Sequence, residues 1–270
     1  MISDTIMLSV ITVCRNAAAT IGGTAESVDA QTCRDFEWIV VDGASTDGTL
    51  QVLGPYNACI AKLVSEPDQG IYDAMNKGLA LARGRWVFFL NADDRFCAHD
   101  VIERLRPSLV TESRLVYGNV VLCDSARGFQ KRSGRRFQKS DAIRCRFPHH
   151  QAAFIKRTWL QAQGGFDLRF GLSADVHVLG KALRDAAASR WVDIDVAEFN
   201  VGGASSGLAY SLKDLRNQQH AIGAACGCHV GILHGLFLCY YVPKMILLRF
   251  IRGSRFERRW RTGRMRRQGF

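Results

Sequence analysis

With 270 residues, 47% of them apolar and 23% charged, the chain can bury one sizeable core, which excludes wholesale disorder. The formal net charge is +11, but the ten Lys or Arg and one acid between Lys244 and Phe270 give that tail +9 and leave the other 243 residues at +2. A nearly neutral body argues against a fold that presents a nucleic-acid-binding face, whereas an end-loaded basic segment points to an anionic surface such as lipid or nucleic acid, or else to a solvated tail.

The first 90 residues alternate apolar runs with helical patterns. Leu8–Cys14 is rich in β-branched residues and predicts a buried strand. Ala19–Ala30 has helical character, with Thr20 placed to cap it. Glu37–Asp42 is again strand-like and ends in the turn chemistry of Gly43 to Gly48. A short helix over Thr49–Leu53, a strand over Ala61–Ser65, a helix over Ile71–Ala82 and a strand over Trp86–Leu90 follow. This β-α-β-α alternation predicts an α/β fold with a mostly parallel sheet flanked by helices.

The second half is less regular. Leu115–Leu122 and Ala152–Lys156 predict strands, separated by a polar, basic hairpin or long loop over Ser125–Arg146. A Gly164-Gly165 turn precedes a helix from about Ala174 to Ala187, with Ser173 at its N-cap, and Trp191–Val196 predicts a last strand. From Leu212 the pattern is helical. The expected organisation is one catalytic domain over 1–205 and a helical, basic extension over 206–270. The nine cysteines are irregularly spaced without a CxxC pair, so they signal reduced thiols rather than a zinc site. Met1–Met7 has neither the basic start nor the apolar stretch of a signal peptide.

In parallel sheets, ligands collect beyond the carboxyl ends of the strands. Here each strand hands over to a polar cluster: Arg15-Asn16, Asp42 with Ser45 to Gly48, Glu66 to Gly70, and Asp93-Asp94. Two adjacent carboxylates repel unless a cation or basic partner lies between them, and hard divalent ions prefer such oxygens. By itself the pair reads equally well as a helix N-cap. Asp42 and its turn need no function when taken alone.

Taken together, the blocks Val10-Ile11-Thr12-Val13 with Asn16, Asp42 to Thr49, Ser65 to Gly78 and Leu90-Asn91-Ala92-Asp93-Asp94 resemble the family 2 glycosyltransferases. The third block is long and gapless. The likeness is dense over about 1–95, thinner over 148–180, and closest to the branch that builds bacterial exopolysaccharide, capsule and lipopolysaccharide. It implies a GT-A fold and an inverting transfer from a nucleotide-diphosphate sugar to an acceptor hydroxyl, the acceptor being a saccharide or a polyprenyl-linked saccharide. It also implies that Thr12, Asn16, Asp42, Asp68, Asp93 and His150 contact the nucleotide sugar. Asp93 and Asp94 match the acidic metal motif for Mn²⁺ or Mg²⁺; Asn91 stands where the family usually has a further acid. Asp175, in Gly171-Leu172-Ser173-Ala174-Asp175, matches the catalytic base, with Ala174 in place of a frequent Glu. Without the resemblance, Asp175 is an acid stabilising the first turn of a helix. His150, in Pro148-His149-His150-Gln151, matches a His-Gln block before a strand.

Two other readings compete. A sugar-1-phosphate nucleotidyltransferase also uses an α/β fold and Mg²⁺, but resembles this chain poorly: the loop after the first strand, Arg15 to Ala19, has no glycines. A non-enzymatic basic protein binding membrane or nucleic acid fits the tail but not the acidic strand ends. Val230–Ile251 is mostly apolar yet contains His234, Pro243, Lys244 and Arg249, which suits an interfacial or re-entrant helix better than a spanning one. Arg252, Arg255, Arg258, Arg259 and Arg261 then recur at short intervals with Phe256 and Trp260. These features place the protein in the cytoplasm, peripheral on the inner face of the cell membrane.

Overall fold

The computed structural model describes residues 6–124, 128–138, 141, 146–200 and 212–226. The elements of the first half follow the expected alternation: β1 (Leu8–Cys14), α1 (Ile21–Asp29), β2 (Phe36–Asp42), α2 (Thr49–Leu53), β3 (Ile60–Ser65), α3 (Ile71–Leu81) and β4 (Trp86–Phe89). Then come β5 (Arg95–Phe96), α4 (Val101–Leu109), the hairpin of β6 (Leu115–Asp124) and β7 (Phe129–Ser133), β8 (Ala153–Lys156), α5 (Arg157–Ala162), α6 (Ala174–Leu183), β9 (Ser189–Asn200) and α7 (Leu212–Cys226).

The strands form one sheet in the order β3-β2-β1-β4-β8-β6-β9-β5, with β7 on β6. The first four are parallel; β8 runs against both β4 and β6. The chain leaves β1 toward β2 and β3, then crosses back to place β4 on the other side of β1. The order therefore reverses between β1 and β4, which opens a crevice at their carboxyl ends.

Successive side chains of a strand point to opposite faces. Both faces of β1 are covered, so all seven of its residues are buried and its sequence is a continuous apolar run. Leu8, Val10, Trp38, Trp86 and Phe88 pack with α1 and α4 on one side. Ile11, Val13, Ile39, Val87 and Phe89 pack with α3, α5 and α6 on the other. Phe88 and Phe154 stack at 4.5 Å between ring centroids and tie β4 to β8. Gly84 lets the turn into β4 run against β1, because a Cβ there would lie 2.5 Å from the Ser9 nitrogen.

Several local expectations differ. Thr20 precedes α1 but its hydroxyl turns back to the Ala17 carbonyl (3.4 Å) rather than capping the helix. Ser173 likewise makes no capping bond, and its Oγ is buried without a partner. The strand expected over Trp191–Val196 extends to twelve residues because β6 offers it a long parallel partner. Helix α7 contacts α6 and the 168–173 turn, and it belongs to a compact unit that ends at Gly227. Val230–Ile251 and the basic run after it lie outside the described residues. Among the described residues no helix is long and apolar enough to cross a membrane.

Candidate active site

Beyond β1 the chain turns at Asn16, which has φ of 50°, a left-handed conformation that Asn tolerates better than most residues. The loop is held by the turn after β2. Asn16 N–H donates to Ser45 Oγ (2.8 Å), and Thr46 N–H donates to Asn16 Oδ1 (3.0 Å). Ala17 N–H and Ala18 N–H donate to Thr49 Oγ1 (2.8 Å) and Asp47 Oδ2 (3.0 Å). The Ser-Thr-Asp-Gly-Thr segment is therefore a clamp on the β1–α1 loop.

Asp42 lies beneath this clamp and is fully buried. It accepts hydrogen bonds from Ser45 Oγ, Ser45 N–H (2.9 Å), Ser65 Oγ (2.6 Å) and Cys14 Sγ (3.5 Å). Burial alone would raise its carboxyl pKa, but these donors outweigh burial and hold it below the usual carboxylate value. Thr12 is also fully buried, and its Oγ1 accepts from the Trp38 indole N–H (3.0 Å). Neither residue lines the crevice.

The crevice itself is a cavity of about 500 Å³ whose walls include Asn16, Asp68, Asp93 and His150. Four of the six residues expected at the nucleotide sugar are thus gathered in one place, although they come from four separate segments of the chain. Asp68 is braced by Gly70 N–H (2.8 Å), while Lys77 Nζ holds the same loop through the Pro67 carbonyl (2.7 Å) and Glu66 (2.8 Å).

Asp93 borders both this cavity and a smaller recess of about 240 Å³; Asp94 borders the recess alone. Asp94 is 1% exposed, and its carboxylate oxygens make no full hydrogen bond, only weak approaches from the Asn200 N–H and the Asn91 side chain. Burial, with the charge of Asp93 added, pushes its carboxyl up to about 7. Burial raises Asp93 as well. Asn91 Oδ1 is a third buried oxygen without a partner. Oxygen atoms left unsatisfied in this way fit a hard divalent cation. Among the described residues no group of three or more His, Cys, Asp or Glu surrounds one point, so other oxygens would complete such a cation's shell.

His150 lines the same cavity, near enough for its charge to act on Asp93. Its Nδ1 lies 3.1 Å from Asp175 Oδ2, and its Nε2 lies 3.4 Å from Asn91 Nδ2. Asp175 occupies the first turn of α6, behind His150, and is not part of the cavity wall. Burial would raise its carboxyl, but the bond and charge of His150, the Tyr72 hydroxyl and the Val176 N–H together keep it below the ordinary value. Arg15, from the polar cluster after β1, also lines the cavity, as does Tyr72, to which the sequence gives no task. Tyr72 falls on the apolar face of α3 and looks like a core residue; nothing local marks its hydroxyl as reaching the segment that carries Asp175.

The family model described as Glycosyl transferase family 2 matches residues 9–164. A Mycobacterium bovis protein, a PGL/p-HBAD biosynthesis glycosyltransferase, is 34% identical over 206 residues, covering 74% of this chain and 79% of that protein. An uncharacterized glycosyltransferase of Mycobacterium tuberculosis is also 34% identical, over 208 residues, covering 74% of this chain and 77% of that protein. Among solved structures, S. aureus TarS 1–349 in complex with UDP-GlcNAc matches with a TM-score of 0.67 at 19% identity, over 93% of this chain and 74% of that one. The mannosyltransferase PcManGT from Pyrobaculum calidifontis, in complex with GDP-Man and Mn²⁺, matches with a TM-score of 0.61 at 22% identity, over 86% and 69%. These structures share the fold, a GT-A fold. The chain belongs to glycosyl transferase family 2 and is a glycosyltransferase.

Proposed function

We propose that the protein moves a sugar from a nucleotide-diphosphate donor to an acceptor hydroxyl with inversion at the anomeric carbon. The observation that carries this reading is a single cavity lined by both Asp93 and His150, with Asp175 bonded to His150 from behind the wall. The similar structures bound to UDP-GlcNAc and to GDP-Man with Mn²⁺ support the same donor class and cation.

In this reading Asn16 and Asp68 hold the nucleotide end of the donor, while Asp42 and Thr12 act from below by fixing the loops that form its walls. Asp93 reaches the cavity and would be the direct ligand for Mn²⁺ or Mg²⁺; Asp94 would add negative charge from the recess that both border. Such a cation supplies positive charge that offsets the charge developing on the departing diphosphate. The acceptor oxygen attacks the anomeric carbon as the bond to the diphosphate breaks. The hydroxyl proton leaves toward the His150–Asp175 pair, in which Asp175 supplies the general base. The acceptor is a saccharide, carried on a polyprenyl lipid and destined for surface polysaccharide. The basic C-terminal segment holds the enzyme at the cytoplasmic face of the membrane where that lipid lies.

The test is a screen of UDP-, GDP- and dTDP-sugars with Mn²⁺, reading nucleotide release with and without EDTA. Release from one donor that EDTA abolishes is expected. Release from none of them, or release untouched by EDTA, removes the proposal.

A further inference from the structure

A second cavity, of about 340 Å³, opens between the end of β7 and the Pro148-His149 turn. Its walls include Ser133, Arg135, Phe137, Arg146, Phe147 and His149. Neither the donor reading nor the family match gives these residues a task.

The wall is built around one buried carboxylate. Asp141 is 2% exposed; it pairs with Arg135 and accepts from Gln138 N–H (2.9 Å), while its own carbonyl accepts from Arg146 N–H (2.9 Å). Phe137 N–H donates to the Tyr117 hydroxyl (2.8 Å), which pins the loop to β6. Asp141 neutralises Arg135. Arg146 is exposed and has no carboxylate partner among the described residues, so the wall keeps one uncompensated positive charge. His149 does not add to it. Burial and the neighbouring His150 hold its pKa below the ordinary value, so the ring is neutral at pH 7. The rings of Phe137 and Phe147 stack at 5.7 Å and give the same cavity an apolar platform. A concave, largely apolar cavity with a few fixed polar groups is the usual make-up of a small-molecule site.

The position of this cavity matters as much as its lining. His149 belongs to its wall and His150 to the wall of the donor cavity. Consecutive Cα atoms are about 3.8 Å apart, so both cavities border the same turn, and the charge of Asp175 acts on His149 as well. A ligand in the second cavity is therefore a neighbour of the His150–Asp175 pair.

We infer that the second cavity is the acceptor subsite and that it takes a saccharide carrying an anionic group, with Arg146 reading the charge and the Phe137–Phe147 pair supporting the sugar. The inference rests on the transferase reading above. A phosphate ester and a uronate carboxylate both offer the required charge, and guanidinium groups pair with either.

Hydrogen–deuterium exchange on the full chain tests it, with glucose 1-phosphate, glucuronate and glucose as probes at one millimolar-range concentration. Slower exchange over residues 128–138 and 146–149 with an anionic probe, and none with glucose, is expected; whichever anion acts identifies the group recognised. Arg146→Glu should weaken that protection at least about tenfold, and added salt should weaken it further. Arg146→Lys, which keeps the charge, should retain most of it. Equal protection by glucose, protection absent from this region, or protection unchanged in Arg146→Glu overturns the inference. In parallel, UDP, GDP and dTDP with Mn²⁺ should each be tried for protection of residues 65–82. If one protects there while the sugars protect nothing, the acceptor inference fails alone; if none protects, the donor reading fails first.

Discussion

His150 Nδ1 and Asp175 Oδ2, 3.1 Å apart, join the turn before β8 to the first turn of α6. If the carboxylate accepts the Nδ1 proton, a neutral His150 presents an unprotonated Nε2, which meets Asn91 Nδ2 at 3.4 Å. An acid at position 91 would place a second carboxylate against the same ring. Asn91 instead leaves Asp175 as the carboxylate that holds the ring's orientation.

Asp175→Asn should therefore lower the transfer rate by about 10²–10⁴-fold, the usual worth of a general base, while nucleotide affinity stays unchanged. Single-turnover transfer and nucleotide titration measure the two quantities separately. A transfer rate within about threefold of wild type rules Asp175 out as the base.

The Asp93–Asp94 pair makes stability depend on pH. The folded-state pKa of Asp94 lies at about 7, well above its ordinary value. The folded protein then holds a proton there that the unfolded chain has already lost, so stability without metal falls as pH rises from about 4 to about 7. Asp94→Asn should remove this slope and raise the melting temperature of EDTA-treated protein at pH 7.5. Mn²⁺ should raise the melting temperature of wild type at that pH, and Asp93→Asn should lose the rise. A melting temperature for Asp94→Asn below that of wild type in EDTA would show that the carboxylate is satisfied in the fold.

The first four strands and the helices between them were legible because β1, β2 and β4 are covered on both faces and each helix on one. Strand β3, with four of its six residues exposed, is legible from its length and turn context more than from burial. The side on which a strand residue acts was not legible. Thr12 and Asp42 stand at strand positions that look ligand-facing, yet one bonds Trp38 and the other bonds Ser45 and Ser65. When both faces of a sheet are apolar, alternation carries no information about which face a polar residue joins. Long-range pairing was equally hidden: Asn76 and Tyr72 sit in the longest family block, but their partners lie 90 and 100 residues away.

Asn76 illustrates the consequence. Its Nδ2 donates to the Phe166 carbonyl and its Oδ1 accepts from the Phe166 N–H, both at 2.8 Å. This reciprocal pair fixes the turn that leads to Asp175. Asn76→Ala should cost about 1–3 kcal/mol through the unpaired backbone groups, seen as a lower urea midpoint, and should lower kcat more than it raises the donor KM. An unchanged midpoint would mean that the turn is held without it.

Glu37 offers a pH test with the other sign. It is 5% exposed and accepts from Ser9 Oγ (2.7 Å), Arg83 N–H (2.6 Å), Arg83 Nε (3.0 Å) and Gly84 N–H (3.2 Å). Burial would raise its pKa; the donors more than reverse that and lower it. The stabilisation is present above the usual carboxylate pKa and is lost as pH falls through the lower folded value. Glu37→Gln should therefore be less stable than wild type at pH 7 by about 1–3 kcal/mol, with the gap closing below about pH 4. A gap that does not change with pH would show that shape, not charge, holds the turn before β4.

Membrane attachment is tested by removing the right segment. Cutting after residue 206 would delete α7, whose Ala224 carbonyl accepts from Arg184 Nη2 (3.2 Å) and whose Asn217 side chain lies beside Gly171, close to the turn that leads into Asp175. Loss of activity in that deletion would say nothing about membranes. A deletion of residues 228–270 leaves the compact unit that ends at Gly227 and removes the ten Lys or Arg of the tail. Each basic residue near an anionic surface contributes about 1 kcal/mol, so half of the tail's cations would hold the protein there at physiological salt. Full-length protein should pellet with membranes, and high salt should release it only in part, because apolar residues such as Ile246, Leu247 and Leu248 do not depend on charge. The deletion should stay in the supernatant with its melting temperature intact. Full-length protein that remains in the supernatant at low salt without detergent would show that the tail does not attach the enzyme to the membrane.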